Sequence, residues 1–334
     1  MMVSIVIPVY NVSDYIERCI KSVINQTYCD IECIIVDDAT PDDSIAKCEQ
    51  ILAVYNGPIQ FSILHHQQNR GLSAARNTGT AAAKGEYFYY LDSDDVITPD
   101  CIEKLLKLML ECNDLDFVQG NHIEERNGQE TIYNKGVSTI CLSSTIDAYI
   151  HYFDNHHIIC SAWNKLIKRS FVEAYQLYFK EGILFEDRLW MFYIQKHLKK
   201  AYICSDITYV YHVRPQSITT KGKYRAVGSS FLIIYNEILS HLTQGRERYE
   251  LSGYVYSFCK PYCMYLNEIP DLKDTFQLYR KQTRRYNCWY AYSILTIVGG
   301  ARRLGNPMRI MKLFHTIRWK LVELPDILQK RNKR

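Results

Sequence analysis

Glycine and proline are scarce in this 334-residue chain, at 15 and 9, too few for a collagenous, low-complexity or linker-rich protein. The 12 cysteines are scattered. The two C-x-x-x-C pairs, Cys29/Cys33 and Cys259/Cys263, are too loose for a zinc site, and neither a C-x-x-C ladder nor a disulfide framework is present. Cys19 falls on the apolar side of a helix pattern and Cys33 within an apolar run, so most cysteines read as buried thiols of a reducing compartment. Residues 1–8 carry no basic stretch and reach a proline early, which reads as a strand rather than a signal peptide and implies a cytoplasmic protein. The charge-free stretch 288–301 has 14 residues, short of the ~20 that span a bilayer. Both G-x-x-x-x-G-K-[ST] and a G-x-G-x-x-G after the first strand are missing, which removes the P-loop and dinucleotide-fold readings. No period of 20 to 50 residues recurs, so a solenoid or propeller is excluded.

What is present is an ordinary globular composition, 47% hydrophobic and 23% charged, long enough for one large domain and a smaller appendage. Tyrosine is unusually frequent, at 27; its apolar ring and polar tip suit sugar, nucleotide or membrane-interface surfaces as well as half-buried packing. The net charge of +4 is unevenly spread: residues 283–334 hold 12 Lys or Arg against Glu323 and Asp326, a balance of +10, which leaves −6 for residues 1–282. In that tail Arg284, Arg285, Arg302 and Arg303 flank the apolar stretch. Met308, Ile310, Met311, Phe314, Ile317 and Leu321 then alternate with Arg309, Lys312, Arg318 and Lys320. Such a segment either lies on an anionic membrane surface or packs on the body with a basic outer face. An acidic body without a recognition motif argues against nucleic acid as a partner.

The first third alternates between two periodicities. Continuous apolar runs over residues 3–9, 31–36, 59–64 and 87–91 predict buried parallel strands. Between them, helical spacing of Tyr15, Ile16, Cys19, Ile20, Val23 and Ile24, and patterns over 41–55 and 73–83, predict helices. Thr98-Pro99-Asp100 predicts a further helix with Thr98 as its cap. The result is an α/β, doubly wound, mostly parallel sheet with right-handed crossovers. Beyond residue 117 the pattern is mixed, with a hairpin at Asn127-Gly128, strands near 201–213, and helices from about 144, 186, 226 and 247. From 222 onward the chain reads as a mainly helical C-terminal extension.

Ligands of such sheets bind outside the carboxyl ends of the strands. Asp37-Asp38 and Asp92-Ser93-Asp94-Asp95 both end strands, so their carboxylates can meet in one crevice. Hard divalent cations prefer such oxygens and complete their shells with water and substrate phosphate. Alone, each acidic run reads equally well as a polar turn that caps the next helix. Likewise, His65-His66 and His156-His157 show no ligand spacing and read as surface or packing residues.

Four segments in order change that balance: Val3-Ser4-Ile5-Val6-Ile7-Pro8-Val9-Tyr10-Asn11, Ile35-Val36-Asp37-Asp38-Ala39-Thr40-Pro41-Asp42, Asn69-Arg70-Gly71-Leu72-Ser73-Ala74-Ala75-Arg76-Asn77-Thr78-Gly79 and Tyr90-Leu91-Asp92-Ser93-Asp94-Asp95. Together they closely resemble the signature set of family 2 glycosyltransferases of the GT-A fold, over residues 1–120 and more loosely over 160–220. One departure is Ala39 where the family commonly has glycine, which implies a turn conformation available to alanine. The resemblance implies a nucleotide-sugar-binding half at 1–120, an acceptor-side half at 121–221 and a helical region with a basic amphipathic tail at 222–334.

Position by position, the resemblance implies that Pro8 and Tyr10 lie near the nucleobase and that Asp38 accepts from uracil. Arg76 lies near the donor, Asp92 by the ribose or metal shell, and Asp94 on the Mn²⁺ or Mg²⁺ that bridges the diphosphate. Of the acid pair Glu186-Asp187, the second is the implied base that deprotonates the acceptor hydroxyl; without the resemblance both read as first-turn acids that favour the helix dipole. In Tyr211-His212-Val213-Arg214, His212 is a further implied metal ligand and Arg214 a phosphate contact. Trp163-Asn164-Lys165-Leu166 resembles a family segment beside the acceptor. The implied activity is inverting, metal-dependent transfer from a UDP-sugar to a glycan, lipid-linked and part of bacterial surface polysaccharide, at the inner face of the cell membrane. A sugar nucleotidyltransferase would need a glycine- and basic-rich loop where Tyr10-Asn11-Val12-Ser13 stands. Intact Asp94 and Asp187 argue against a silent nucleotide-sugar-binding scaffold.

Overall fold

The computed structural model describes residues 1–112, 114–145, 156–213, 224–241 and 269–285, with single positions at 148, 151 and 152 and several between 254 and 267. The chain forms two compact units, residues 1–222 and 223–334.

In the first unit, β1 (Val3–Val9), α1 (Ile16–Ile24), β2 (Ile31–Asp37), α2 (Ser44–Ala53), β3 (Gln60–His65), α3 (Leu72–Ala82) and β4 (Tyr87–Tyr90) follow the predicted alternation. The sheet then takes in β5 (Val96–Ile97), β6 (Phe117–Arg126), β7 (Gln129–Ile132), β8 (Ile140–Leu142), β9 (Lys165–Lys168) and β10 (Ala201–His212). Its order is β3-β2-β1-β4-β9-β6-β10-β5, with β7 on β6 and β8 on β10. Strands β1 to β4 are mutually parallel, and β10 is parallel to β6. The exception at the centre is β9, antiparallel to both β4 and β6. Four residues without alternation give no strand signal of their own, so β9 is a pairing that the sequence pattern did not announce.

Helix α3 lies close on β1 because its buried residues, Arg76 apart, are small: Ser73, Ala74, Ala75, Gly79 and Thr80. A Cβ at Gly79 would sit 2.3 Å from Val6 Cγ1, so only glycine permits that approach. One boundary and one turn conformation differ from expectation. Helix α4 (Cys101–Glu111) starts after Asp100, not Thr98, because the Thr98 hydroxyl bonds the Asp100 carboxylate and the 98–101 segment closes as a turn. Ala39 has φ +54°: it takes the left-handed conformation of the family's glycine despite its methyl group. By contrast, the hairpin forms where predicted, with φ of +53° at Asn127 and +76° at Gly128 as a tight two-residue turn requires. The second half of the unit adds α5 (Arg169–Ala174) and α6 (Glu186–His197).

The nine described cysteines are free; Cys19, Cys33, Cys48, Cys101 and Cys204 are buried, while Cys29 and Cys141 are exposed. In the second unit α7 (Tyr224–His241) and α8 (Leu272–Arg285) pack through aromatic contacts, with the Tyr235, Phe258 and Tyr279 rings 5.0 to 6.3 Å apart. The helices expected from about 144 and 247 fall largely outside the described residues, as does the tail beyond 285. Among the described residues no helix is long and apolar enough to cross a membrane.

Candidate active site

Both acidic turns lie at the same edge of the sheet, one on each side of β1. Asp38 N–H donates to Val9 O at 3.0 Å, and Leu91 N–H to Val6 O at 3.1 Å, so the chain leaves β2 and β4 in the same direction. Tyr10, just past β1, is 47% exposed, whereas Pro8 is buried within the strand.

The Asp37-Asp38 turn uses its acids close to home. Asp38 is buried, and its Oδ1 accepts from His66 Nδ1 at 2.7 Å and Arg70 N at 2.8 Å, while Oδ2 accepts from Gly71 N at 2.7 Å. Three of the carboxylate's roughly four lone-pair directions are thus taken, and at most one is left for a base. Of the surface and packing readings of His66, the structure supports packing: its side chain is 6% exposed, and its Nε2 meets Thr78 Oγ1 at 2.9 Å, so it ties the turn to α3. Asp37 in turn accepts from Thr40 N at 2.8 Å and contacts His65 at 2.9 Å.

The second turn reaches across the sheet instead. Arg76, expected beside the donor, is 1% exposed and sits among three carboxylates: Nη2 on Asp92 at 2.8 Å, and Nη1 on Glu186 at 2.8 Å and Asp187 at 2.9 Å. Burial opposes its charge, but Asp187, Asp92 and Glu186 outweigh that and raise its pKa. The Phe179 ring lies 5.2 Å from the guanidinium and stacks on Trp190 of α6 at 4.8 Å. Helix α6 begins at Glu186 after Phe185, whose φ is +59°, so its first-turn acids face the helix's positive end. Burial and the adjacent Asp187 push Glu186 up to about 7. Burial also raises Asp187, opposed by Arg76. With 21% of its side chain exposed against 7% for Glu186, Asp187 is the more accessible acid of the pair.

Asp95, which the sequence does not separate from its neighbours, is the anchor of the second turn. Fully buried, it accepts from Tyr209 OH at 2.7 Å and His212 N at 2.8 Å. Burial, then Asp94 and Asp92, push its carboxyl well above the usual range. Arg18 of α1 also holds the turn, donating from Nη2 to Asp94 O at 2.6 Å. His212 ends β10 with Nε2 3.0 Å from Glu125, while its buried Nδ1, 3.8 Å from Asp95 Oδ1, has no hydrogen bond. Burial, then Arg18, lower its pKa and favour the neutral ring. Among the described residues no group of three or more His, Cys, Asp or Glu is gathered for a metal. Arg214 lies outside the described residues. Arg18 and His66 carry no sequence signal beyond their proximity to motifs, and Asp95 lies inside one without standing out; only their partners distinguish them.

Residues 4–175 match the family model for glycosyl transferase family 2. Over 177 residues the chain is 34% identical to the putative glycosyltransferase EpsH of Bacillus subtilis, covering 53% of this chain and 50% of that protein. With glycosyltransferase GlyG of Streptococcus pneumoniae it shares 30% over 225 residues, 65% of this chain and 72% of GlyG. The chain spans 50% and 63% of the first two curated relatives, EpsH and EpsJ of B. subtilis. Among solved structures, S. aureus TarS 1–349 in complex with UDP-GlcNAc is similar with a TM-score of 0.68 at 18% identity, covering 92% of this chain and 93% of that one. A mannosyltransferase from Pyrobaculum calidifontis, in complex with GDP-Man and Mn²⁺, follows at 0.56 and 15%, covering 94% and 84%. Its GT-A fold and the match over just over half its length place the chain in glycosyl transferase family 2.

Proposed function

We propose that the chain transfers a sugar from a UDP-sugar to a glycan acceptor, lipid-linked and part of bacterial surface-polysaccharide synthesis, with inversion at the anomeric carbon. One observation carries the reading: Arg76 joins Asp92, at the end of donor-side strand β4, to Glu186 and Asp187 at the start of α6, all within 2.9 Å. An acid near the nucleotide and an acid near the acceptor are thereby held in one charge cluster.

In this reading the exposed Tyr10 and the last lone-pair direction of Asp38 face the base, beside Pro8, while Asp92 faces the ribose. Asp94 and His212 fit a hard divalent cation, since Asp94 is a carboxylate at the strand end and His212 has a neutral ring with a buried, unbonded Nδ1. Bound Mn²⁺ or Mg²⁺ would neutralise the diphosphate as it leaves. Arg214 completes the phosphate contacts. Asp187 takes the proton of the acceptor hydroxyl, with Glu186 beside it as a substrate contact. Direct attack on an α-linked donor gives a β-linked product. TarS bound to UDP-GlcNAc and the Mn²⁺-bound mannosyltransferase support the choice of nucleotide sugar and cation. The basic tail either lies on an anionic membrane surface or packs with a basic outer face, and vesicle binding separates the two.

Purified protein with Mn²⁺ and a panel of nucleotide sugars should hydrolyse one donor slowly and be stabilised thermally by it; neither response from any donor ends the transferase reading. Asp187→Asn should lower transfer by about 10²–10⁴-fold with UDP-sugar binding unchanged, and lost binding would reassign Asp187 to structure. If the tail lies on the membrane, deleting residues 283–334 should release the protein from anionic vesicles, and unaltered binding refutes that alternative.

A further inference from the structure

The loop of residues 175–185 carries the chain from α5 into the first turn of α6, and so delivers Glu186 and Asp187. Local preference does not choose its path. Gln176 and Phe185 have φ of +52° and +59°, and Gly182 has +78°; left-handed residues other than glycine persist only where their surroundings hold them. The hold comes from α3. Asn77, next to Arg76, gives both groups of its amide to Phe179: Nδ2 donates to Phe179 O at 2.8 Å, and Oδ1 accepts from Phe179 N at 2.9 Å. One side chain thus satisfies both main-chain groups of a residue 102 positions away, as a neighbouring strand would. Two further contacts join it: Trp190 Nε1 donates to Leu177 O at 2.9 Å, and Arg70 meets Glu181 at 3.2 Å in an exposed ion pair that adds little.

What Asn77 fixes is the ring of Phe179. That residue is buried, and its ring lies 5.2 Å from the Arg76 guanidinium, stacks on Trp190 at 4.8 Å and meets Tyr90 of β4 edge-on at 5.2 Å. It therefore closes one side of the cluster in which Arg76 holds Asp92, Glu186 and Asp187. The connection is continuous. It runs from the Asn77 amide to the Phe179 main chain, from the Phe179 ring to the Arg76 guanidinium, and from there to the Asp187 carboxylate at 2.9 Å. We propose that Asn77 is a positioning residue for the base: by pairing with Phe179 it sets the loop into α6 and keeps the ring against Arg76, so that the guanidinium presents the Asp187 carboxylate in one orientation. The inference rests on Asp187 being the base. Asn77 acts through Phe179 and Arg76, not on the reacting atoms.

The test is donor turnover by the full chain with Mn²⁺ and the UDP-sugar that it hydrolyses, together with UDP binding. Asn77→Asp keeps the size and the acceptor but sets a carboxylate, without a donor, against Phe179 O. Asn77→Ala removes both bonds and serves if the Asp variant does not fold. Either should lower kcat by about 10²-fold, the cost of a group displaced by about 1 Å, with donor KM and UDP affinity unchanged. Phe179→Leu keeps an apolar side chain but loses the ring on Arg76, and should lower kcat likewise. Because Asn77 acts through Phe179, the double variant should be no slower than the slower single one. Wild-type kcat in a folded Asn77 variant, a donor KM that rises as kcat falls, or losses that multiply in the double variant overturns the proposal. Should Asp187→Asn keep its activity, the base assignment falls and this inference with it. An inactive Asp187→Asn alongside wild-type kcat in the Asn77 variants overturns only the role of Asn77.

Discussion

The two acidic turns flank the same strand and look alike in sequence, yet they spend their charges differently. The turn after β2 satisfies Asp37 and Asp38 within the first third of the chain, on the 66–71 loop and on Thr40. The turn after β4 sends Asp92 to Arg76, and through it to α6, while Asp95 is bound by β10. The first shapes a local surface; the second fastens the two halves of the unit together. The donors to Asp38 lie 28 to 33 positions away along the chain, whereas Arg76 joins Asp92, 16 positions away, to Glu186 and Asp187, 110 and 111 positions away, so the second cluster depends on both halves of the unit being formed.

That contrast sets the order of expected effects. Arg76→Met leaves three acids crowded without their cation and should cost the most, about 3–5 kcal/mol in denaturant unfolding. Asp38→Asn keeps an acceptor but loses charge-assisted bonds, and should cost about 1.5–3 kcal/mol. If Arg76→Met proves the milder change, the division between a joining turn and a local one is wrong. The smallest effect sharpens the picture inside the local turn. Ala39→Gly relieves a left-handed alanine and should stabilise by about 1 kcal/mol, read as a higher Tm; a lower Tm would show that the methyl contributes packing worth more than the strain.

Legibility follows the same division. Strands β1 to β4 and their helices were readable because continuous apolar runs and helical spacing are local patterns, and the order of motifs placed Asp38, Asp92 and Asp94 at strand ends. Ala39 was not: its residue type argued for an ordinary turn, but the bonds from Thr40 to Asp37 and from Asn11 to Thr40 hold it left-handed. His66 stayed open between surface and packing because nothing along the chain shows that Asp38 and Thr78 converge on it. Strand β9 was hidden by its length, and the pairing of Asn77 with Phe179 by the 102 positions between them.

The sequence by itself determined the strand–helix alternation, the edge of the sheet where the acids emerge and the family to which the motifs belong, because each follows from neighbouring residues and their spacing. Which acid is an anchor, which is shared and which stays accessible was decided only by the tertiary structure. A buried carboxylate is tolerated where a donor stands within about 3 Å, and for Asp95 and Asp187 that donor comes from 111 to 117 positions away along the chain.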